Sequence, residues 1–388
     1  MYGFGVLKKS LVVLLTSGLL FVSGANNSFA AVKAGGICTK TGVTEITGGK
    51  KYICVKFGNS NIWQEIKNSK NTIKTLSAYE KTKLKAYNAI RAETDAGNAD
   101  NIKLNYFIGK DFPAELKNLY IYQVKYASKL YGTFFNKKEI INIYLYTEKD
   151  ADKIKEDSLL GNDYKNFEDW FGRWQQGIDR QHNLGLAASY IQRNGIWQGF
   201  AGLVVFSGSS SKSLRPYSIQ VMPHEYWHVV QDFYMQRGRG TLFSDSKSYD
   251  TRFPPTFREG SANTISFALA SNSFQDYLKL YTYFISEKKL QSEIPFFSAL
   301  KSKESVIKTL NNIEFREGNP EGFEASYSIG QLLYEWVIAE YGFEGYRKII
   351  ENQLVGNSFD DNLQKSLGIS KSQLYDKAAS HILAAFNN

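Results

Sequence analysis

The sequence predicts an α+β protein: a small β module, then a mixed α/β half, then a mostly helical half. Short runs before residue 210 alternate apolar and polar residues, the period of half-buried strands. From residue 255 onward the apolar spacing changes to three and four, the period of amphipathic helices. Near the N-terminus two cysteines bracket a Thr-rich alternating stretch punctuated by glycines. With 388 residues, 43% of them hydrophobic, the chain can bury a substantial core as one large domain or two modest ones.

Residues 1–30 are expected to be a secretory signal. Lys8 and Lys9 precede an uncharged apolar run from Leu11 to Val22, and Ser28-Phe29-Ala30 supplies small residues for cleavage after Ala30. The apolar run is short for a membrane span, so no stable span is expected after cleavage. A lipoprotein is not expected, because Ile37 stands before Cys38 where a small residue is wanted. The formal charge is +9. In a secreted protein this does not call for nucleic acid. It suits either contact with anionic cell-wall polymers or a lysine-rich solubilising surface.

Residues 31–66 form the expected small module. Gly48-Gly49-Lys50 is a turn, Tyr52 to Lys56 a strand, and Gly58, Asn59 and Asn61 a second turn before Ile62-Trp63, which together suggest a β-hairpin. Cys38 and Cys54 are the only cysteines. Export makes a disulfide between them the expectation, contributing on the order of 3 kcal/mol to so small a unit. The module resembles the short two-cysteine unit, ending in a tryptophan, near the N-terminus of many secreted actinobacterial proteins. That resemblance implies extracellular placement and no chemistry.

After a polar linker, Asn68 to Asn71, the main domain is expected over 72–388, with an α/β half over 72–240 and a helical half over 241–388. Helical periodicity covers Thr72 to Glu93, and Ile102 to Ile108 is strand-like. Pro113 opens a helix to about Leu130, with Leu116, Leu119, Tyr122, Val124 and Tyr126 as apolar positions. Glu139 to Tyr146 alternates, with Ile141, Ile143 and Leu145 on one face and Asn142, Tyr144 and Tyr146 on the other. Residues 148–175 are charged and mostly helical. Gly202 to Phe206 is a short strand, either a sheet edge or a core strand. Helical runs follow over 256–270, 274–287, 323–340, 343–352 and 371–386.

His224-Glu225-Tyr226-Trp227-His228 reads H-E-x-x-H, and two of the chain's four histidines fall in it. Residues four apart share one helix face, so both imidazoles can reach one zinc ion. Glu225 projects beside the metal, placed to take a proton from activated water and pass it to a leaving amine. Pro223 is tolerated only in a first turn, which puts the helix start near Ser218 to Val221. Downstream, Thr256 to Glu259 fits the capping box T-x-x-E, in which the glutamate closes a helix start. Beside an H-E-x-x-H, Glu259 is instead expected to be the third ligand, leaving the fourth position open for water.

With H-E-x-x-H at His224 to His228, E-G-x-A at Glu259 to Ala262, and Tyr327-Ser328-Ile329-Gly330-Gln331-Leu332-Leu333-Tyr334 before Tyr341-Gly342, the chain resembles the gluzincin branch of zinc metallopeptidases. The likeness to thermolysin-like and peptidase-MA-like members spans roughly residues 100–350 in outline, although only these motifs are specific. It implies a zincin-like core, a small mixed sheet with the H-E-x-x-H helix, followed by a helical subdomain. It further implies zinc held by His224, His228 and Glu259, with Glu225 as general base and acid, acting on a peptide or protein substrate. Tyr327 would donate to the oxyanion, with Tyr334 and His182 as weaker candidates, or would simply be a core tyrosine.

Three features depart from the family pattern. The interval from His228 to Glu259 is long and contains Arg237-Gly238-Arg239-Gly240, expected to form a loop over the cleft. Asn263 stands where thermolysin-like enzymes carry an acid that orients the first histidine. The G-x-M-E-N motif of related aminopeptidases is absent, which favours an endopeptidase. Two rival readings stay open on sequence: a non-catalytic wall or surface binding protein, and a hydrolase of peptidoglycan stem peptides.

Overall fold

A computed structural model describes residues 43–48, 50–57, 60–66, 76–156, 184–193, 195–210, 214, 216–236, 246–290, 295–315 and 319–387. The signal segment 1–30, Cys38, residues 157–175, His182 and Arg237 to Gly240 lie outside the described residues. The chain is α+β and mostly helical, and it divides into two compact units, Met1–Lys74 and Thr75–Asn388. Among the described residues no helix is long and apolar enough to cross a membrane.

In the first unit, β1 (Thr44–Thr47), β2 (Lys50–Phe57) and β3 (Ser60–Ile66) make an antiparallel sheet in that order. The expected hairpin is thus a three-stranded meander. The second turn is tighter than expected, because Asn61 already pairs with Lys56 inside the ladder. Cys54 is buried on the central strand, opposite Trp63.

The second unit starts with α1 (Ala78–Ala96). Ser77 caps it through a box with Glu80, so the helix begins later than its apolar periodicity suggests. Next come β4 (Ile102–Ile108), α2 (Ala114–Tyr131, with Pro113 at its N-cap), β5 (Glu139–Thr147), α3 (Ala151–Glu156), β6 (Leu184–Arg193) and β7 (Ile196–Val205). On α2 the buried residues include Leu116, Tyr120, Val124 and Ala127, whereas Tyr122 is exposed and stacks on Tyr126.

The four strands form a mixed sheet in the order β4-β5-β7-β6. The β4/β5 and β5/β7 pairs are parallel, and β6 is antiparallel to β7. The run Gly202 to Phe206 is therefore not a sheet edge. Its strand lies between two neighbours, and β6 occupies the edge. On one face Ile141, Ile143, Leu145, Ala201 and Leu203 enter the core. On the other, Asn105, Asn142 and Gln198 hydrogen-bond across three strands, and Tyr144 stacks on Phe107 and Phe200.

A 3-10 turn, Pro216–Gln220, leads into α4 (Val221–Gln236), so Pro223 stands in the first helical turn as its chemistry requires. Met222, Tyr226, Trp227, Val229, Val230 and Phe233 are buried and hold α4 in the core. Then follow α5 (Ser246–Arg252), α6 (Pro255–Ala270), α7 (Phe274–Leu290), α8 (Pro295–Ala299), α9 (Lys303–Asn312), α10 (Pro320–Glu351), α11 (Phe359–Leu367) and α12 (Lys371–Asn387). Of these, α6 is buried on nearly every side, which marks it as a core helix. Gly342 breaks α10 with φ 69° and ψ 175°, a left-handed conformation that glycine alone adopts without steric penalty.

Candidate metal centre

The site sits where α4, α6 and α10 meet. His224 and His228 project from one face of α4, their rings 4.8 Å apart and nearly perpendicular. Their Nε2 atoms are 3.1 Å from each other. Glu259, just past the first turn of α6, places Oε2 3.3 Å from His224 Nε2 and 3.2 Å from His228 Nε2. Two imidazole nitrogens and a carboxylate oxygen converge on one point and could hold a metal ion. Among the described residues this is the one His/Cys/Asp/Glu group that could hold a metal ion.

Glu259 is not a helix cap. The N-cap of α6 is Pro254 with no side-chain capping bond, and the helix starts at Pro255. Thr256 therefore lies inside the helix, and the T-x-x-E box does not form. Burial opposes the charge on Glu259. The Arg258 guanidinium and the two histidines outweigh it and hold the carboxyl well below the usual carboxylate range. Arg258 Nε donates to Glu259 Oε1 at 2.8 Å, and its Nη2 forms an ion pair with the same oxygen at 2.7 Å. Burial would likewise lower the Arg258 pKa, but the Glu259 charge raises it and the guanidinium stays charged.

Gln231 orients His228. Its Oε1 lies 2.7 Å from His228 Nδ1, and its Nε2 donates to the Arg258 carbonyl at 3.1 Å and to Ser261 Oγ at 2.9 Å. A carbonyl only accepts, which fixes the orientation of the amide. Nδ1 of His228 then donates to Gln231 and the ring is fixed; with a metal bound, Nε2 would turn its lone pair to the site. Asn263 does not perform the service expected of it for His224. Its amide donates to the Tyr327 carbonyl at 2.9 Å, and the buried His224 Nδ1 has no hydrogen-bond partner.

Tyr327 stacks on His224, ring centroids 5.8 Å apart and planes 19° from parallel. Burial first, then the charges of Glu259 and Glu225, push its phenol pKa well above the ordinary value, so it keeps its proton as a donor. The half-buried Glu225 follows His224 on α4. Tyr334, two turns further along α10, is buried against Phe257 and Tyr346 and belongs to the core.

Tyr327 reaches the site because α6 and α10 cross almost backbone to backbone. A Cβ on Gly260 would lie 2.3 Å from the Gly330 carbonyl carbon, and one on Gly330 would lie 2.5 Å from the Thr256 oxygen. The small residues after Glu259 thus divide their work. Gly260 admits α10, while Ser261 faces α4 and accepts from Gln231 and Trp227.

Sequence reading missed Gln231 and Arg258. Gln231 is three residues after His228, a helical neighbour whose side chain can meet the imidazole, and that spacing is a usable signal. Arg258 gives none, because adjacent residues on a helix normally diverge. No family model matches the chain, and no curated protein or solved structure was found to be similar to it.

Proposed function

We propose that the chain is a secreted, zinc-dependent metallopeptidase of the gluzincin type, acting as an endopeptidase on a zincin-like core. One observation carries this reading: a glutamate that no ligand role requires, Glu225, stands on the same helix between two histidines whose Nε2 atoms meet the Glu259 carboxylate. A binding protein has no need of that residue.

The donor set of two imidazole nitrogens and one carboxylate oxygen suits zinc and leaves room for an exchangeable position. Bound there, zinc supplies Lewis-acid polarisation of the scissile carbonyl and lowers the pKa of water to about 7. Glu225 accepts the proton of the attacking water and delivers it to the leaving amine. Tyr327, protonated beside His224, donates a hydrogen bond to the oxyanion. The edge strand β6 gives an extended peptide a backbone ladder to join, since no strand pairs with its outer side among the described residues. The disulfide between Cys38 and Cys54, secretion and wall contact belong to the same proposal.

Glu225→Gln tests the role of the base. The variant is expected to hold zinc like the wild type and to lose nearly all peptide hydrolysis. Unchanged turnover would remove Glu225 from the mechanism.

A further inference from the structure

The two oxygens of Glu259 are divided between different partners. Oε2 faces both imidazole nitrogens, whereas Oε1 takes a hydrogen bond from Arg258 Nε at 2.8 Å and an ion-pair contact from Nη2 at 2.7 Å. Side chains of successive helical residues point about 100° apart, so Arg258 must fold back along its own helix to make this contact. Its guanidinium is held in that position by the faces of Tyr249 and Phe323, 5.7 and 5.9 Å from the ring centroids. The Arg258 carbonyl is taken by Gln231, the residue that also fixes His228. One residue therefore ties together the supports of two ligands on two helices.

From this geometry we propose that Arg258 is a positioning residue that confines Glu259 to one-oxygen coordination. The inference rests on the metal-centre reading above and adds a specific consequence. A carboxylate with both oxygens free can bind a cation through both, filling a position that water or a substrate carbonyl needs. Arg258 occupies Oε1 through a charge-assisted hydrogen bond and an ion-pair contact, keeping that position open and the carboxylate correctly turned. The guanidinium, with its planar fork, makes both the hydrogen bond and the ion-pair contact, which a lysine ammonium cannot reproduce.

The test compares the wild type with Arg258→Met and Arg258→Lys, each loaded with cobalt(II) alone, and measures zinc affinity by competition with a chromophoric chelator. The wild type should show the intense visible absorption of a low-coordinate cobalt(II) site. Arg258→Met should lose much of that intensity as the second oxygen joins the metal, and should bind zinc about 10–100-fold more weakly, the range for loss of a residue that supports a ligand. Unchanged absorption in Arg258→Met overturns the inference, even if affinity falls, because weaker binding alone is what any structural lesion would produce. If circular dichroism shows that Arg258→Met is unfolded, Arg258→Lys decides. It is expected to lose part of the intensity and about tenfold in zinc affinity, and wild-type values in both overturn the inference. A wild type that binds neither metal sinks the metallopeptidase reading itself, and the Arg258 inference with it.

Discussion

At the residue scale, each group that supports the site has a measurable counterpart. Tyr327 is stacked on a ligand and kept protonated by burial and by two neighbouring carboxylates. Tyr327→Phe preserves the ring and the packing but removes the donor. The expected result is a fall in kcat of about 10²–10³-fold with zinc content unchanged, the range for loss of one oxyanion donor. A wild-type kcat would assign Tyr327 to packing alone. The H-E-x-x-H residues were legible in the sequence because their geometry is local: four residues of helix fix which side chains share a face. Glu259 was legible only beside that motif, since its own segment equally suits a helix cap. Asn263 was misplaced because its position on α6 gave no hint that α10 would claim its amide.

At the element scale, the crossing of α6 and α10 sets the relation between Glu259 and Tyr327. Gly260→Ala would drive a methyl against the Gly330 backbone, which cannot move aside as a side chain tip can. The two helices must separate, at a cost of about 1–3 kcal/mol. Chemical denaturation should report that loss, with weaker metal retention as Glu259 shifts, and wild-type stability and metal retention would contradict the crossing. The long helices were legible because their apolar period holds over many turns, including the break before residue 343. The edge strand β6 was not. Leu184–Arg193 has two alanines where strand formers are expected, and a register shift between Leu186 and Ser189 interrupts its period of two. The order of the sheet depends on pairings between distant segments, which no local pattern encodes.

At the scale of the whole molecule, a second polar cluster joins the two ends of the main unit. Lys83 on α1 pairs with Glu335 on α10 at 2.7 Å, both side chains fully buried. Tyr277 on α7 donates to the same carboxylate, and His381 on α12 approaches its other oxygen at 2.9 Å. Burial pulls the Lys83 pKa down to about 8. For Glu335, burial is outweighed by Lys83 and His381, and its pKa falls to about 2. A carboxylate depressed in the folded state contributes stability that is present above its unfolded pKa of about 4.3 and is lost as pH falls toward 2. Stability should therefore drop across that window, more steeply in the wild type than in the double variant Lys83→Met/Glu335→Leu. Glu335→Leu alone strands a buried ammonium and should cost about 3–5 kcal/mol at neutral pH, much of it recovered in the double variant. Equal acid slopes would contradict the assignment. This cluster was invisible in sequence, because Lys83 has the outward pattern of a solvated lysine and its partner lies 252 residues away.

The most direct measurement is the zinc content of the purified protein, taken together with casein hydrolysis before and after chelation. The account predicts one zinc per chain, hydrolysis lost on chelation and restored by adding zinc. A protein that carries no zinc, or whose hydrolysis is indifferent to chelation, would contradict it.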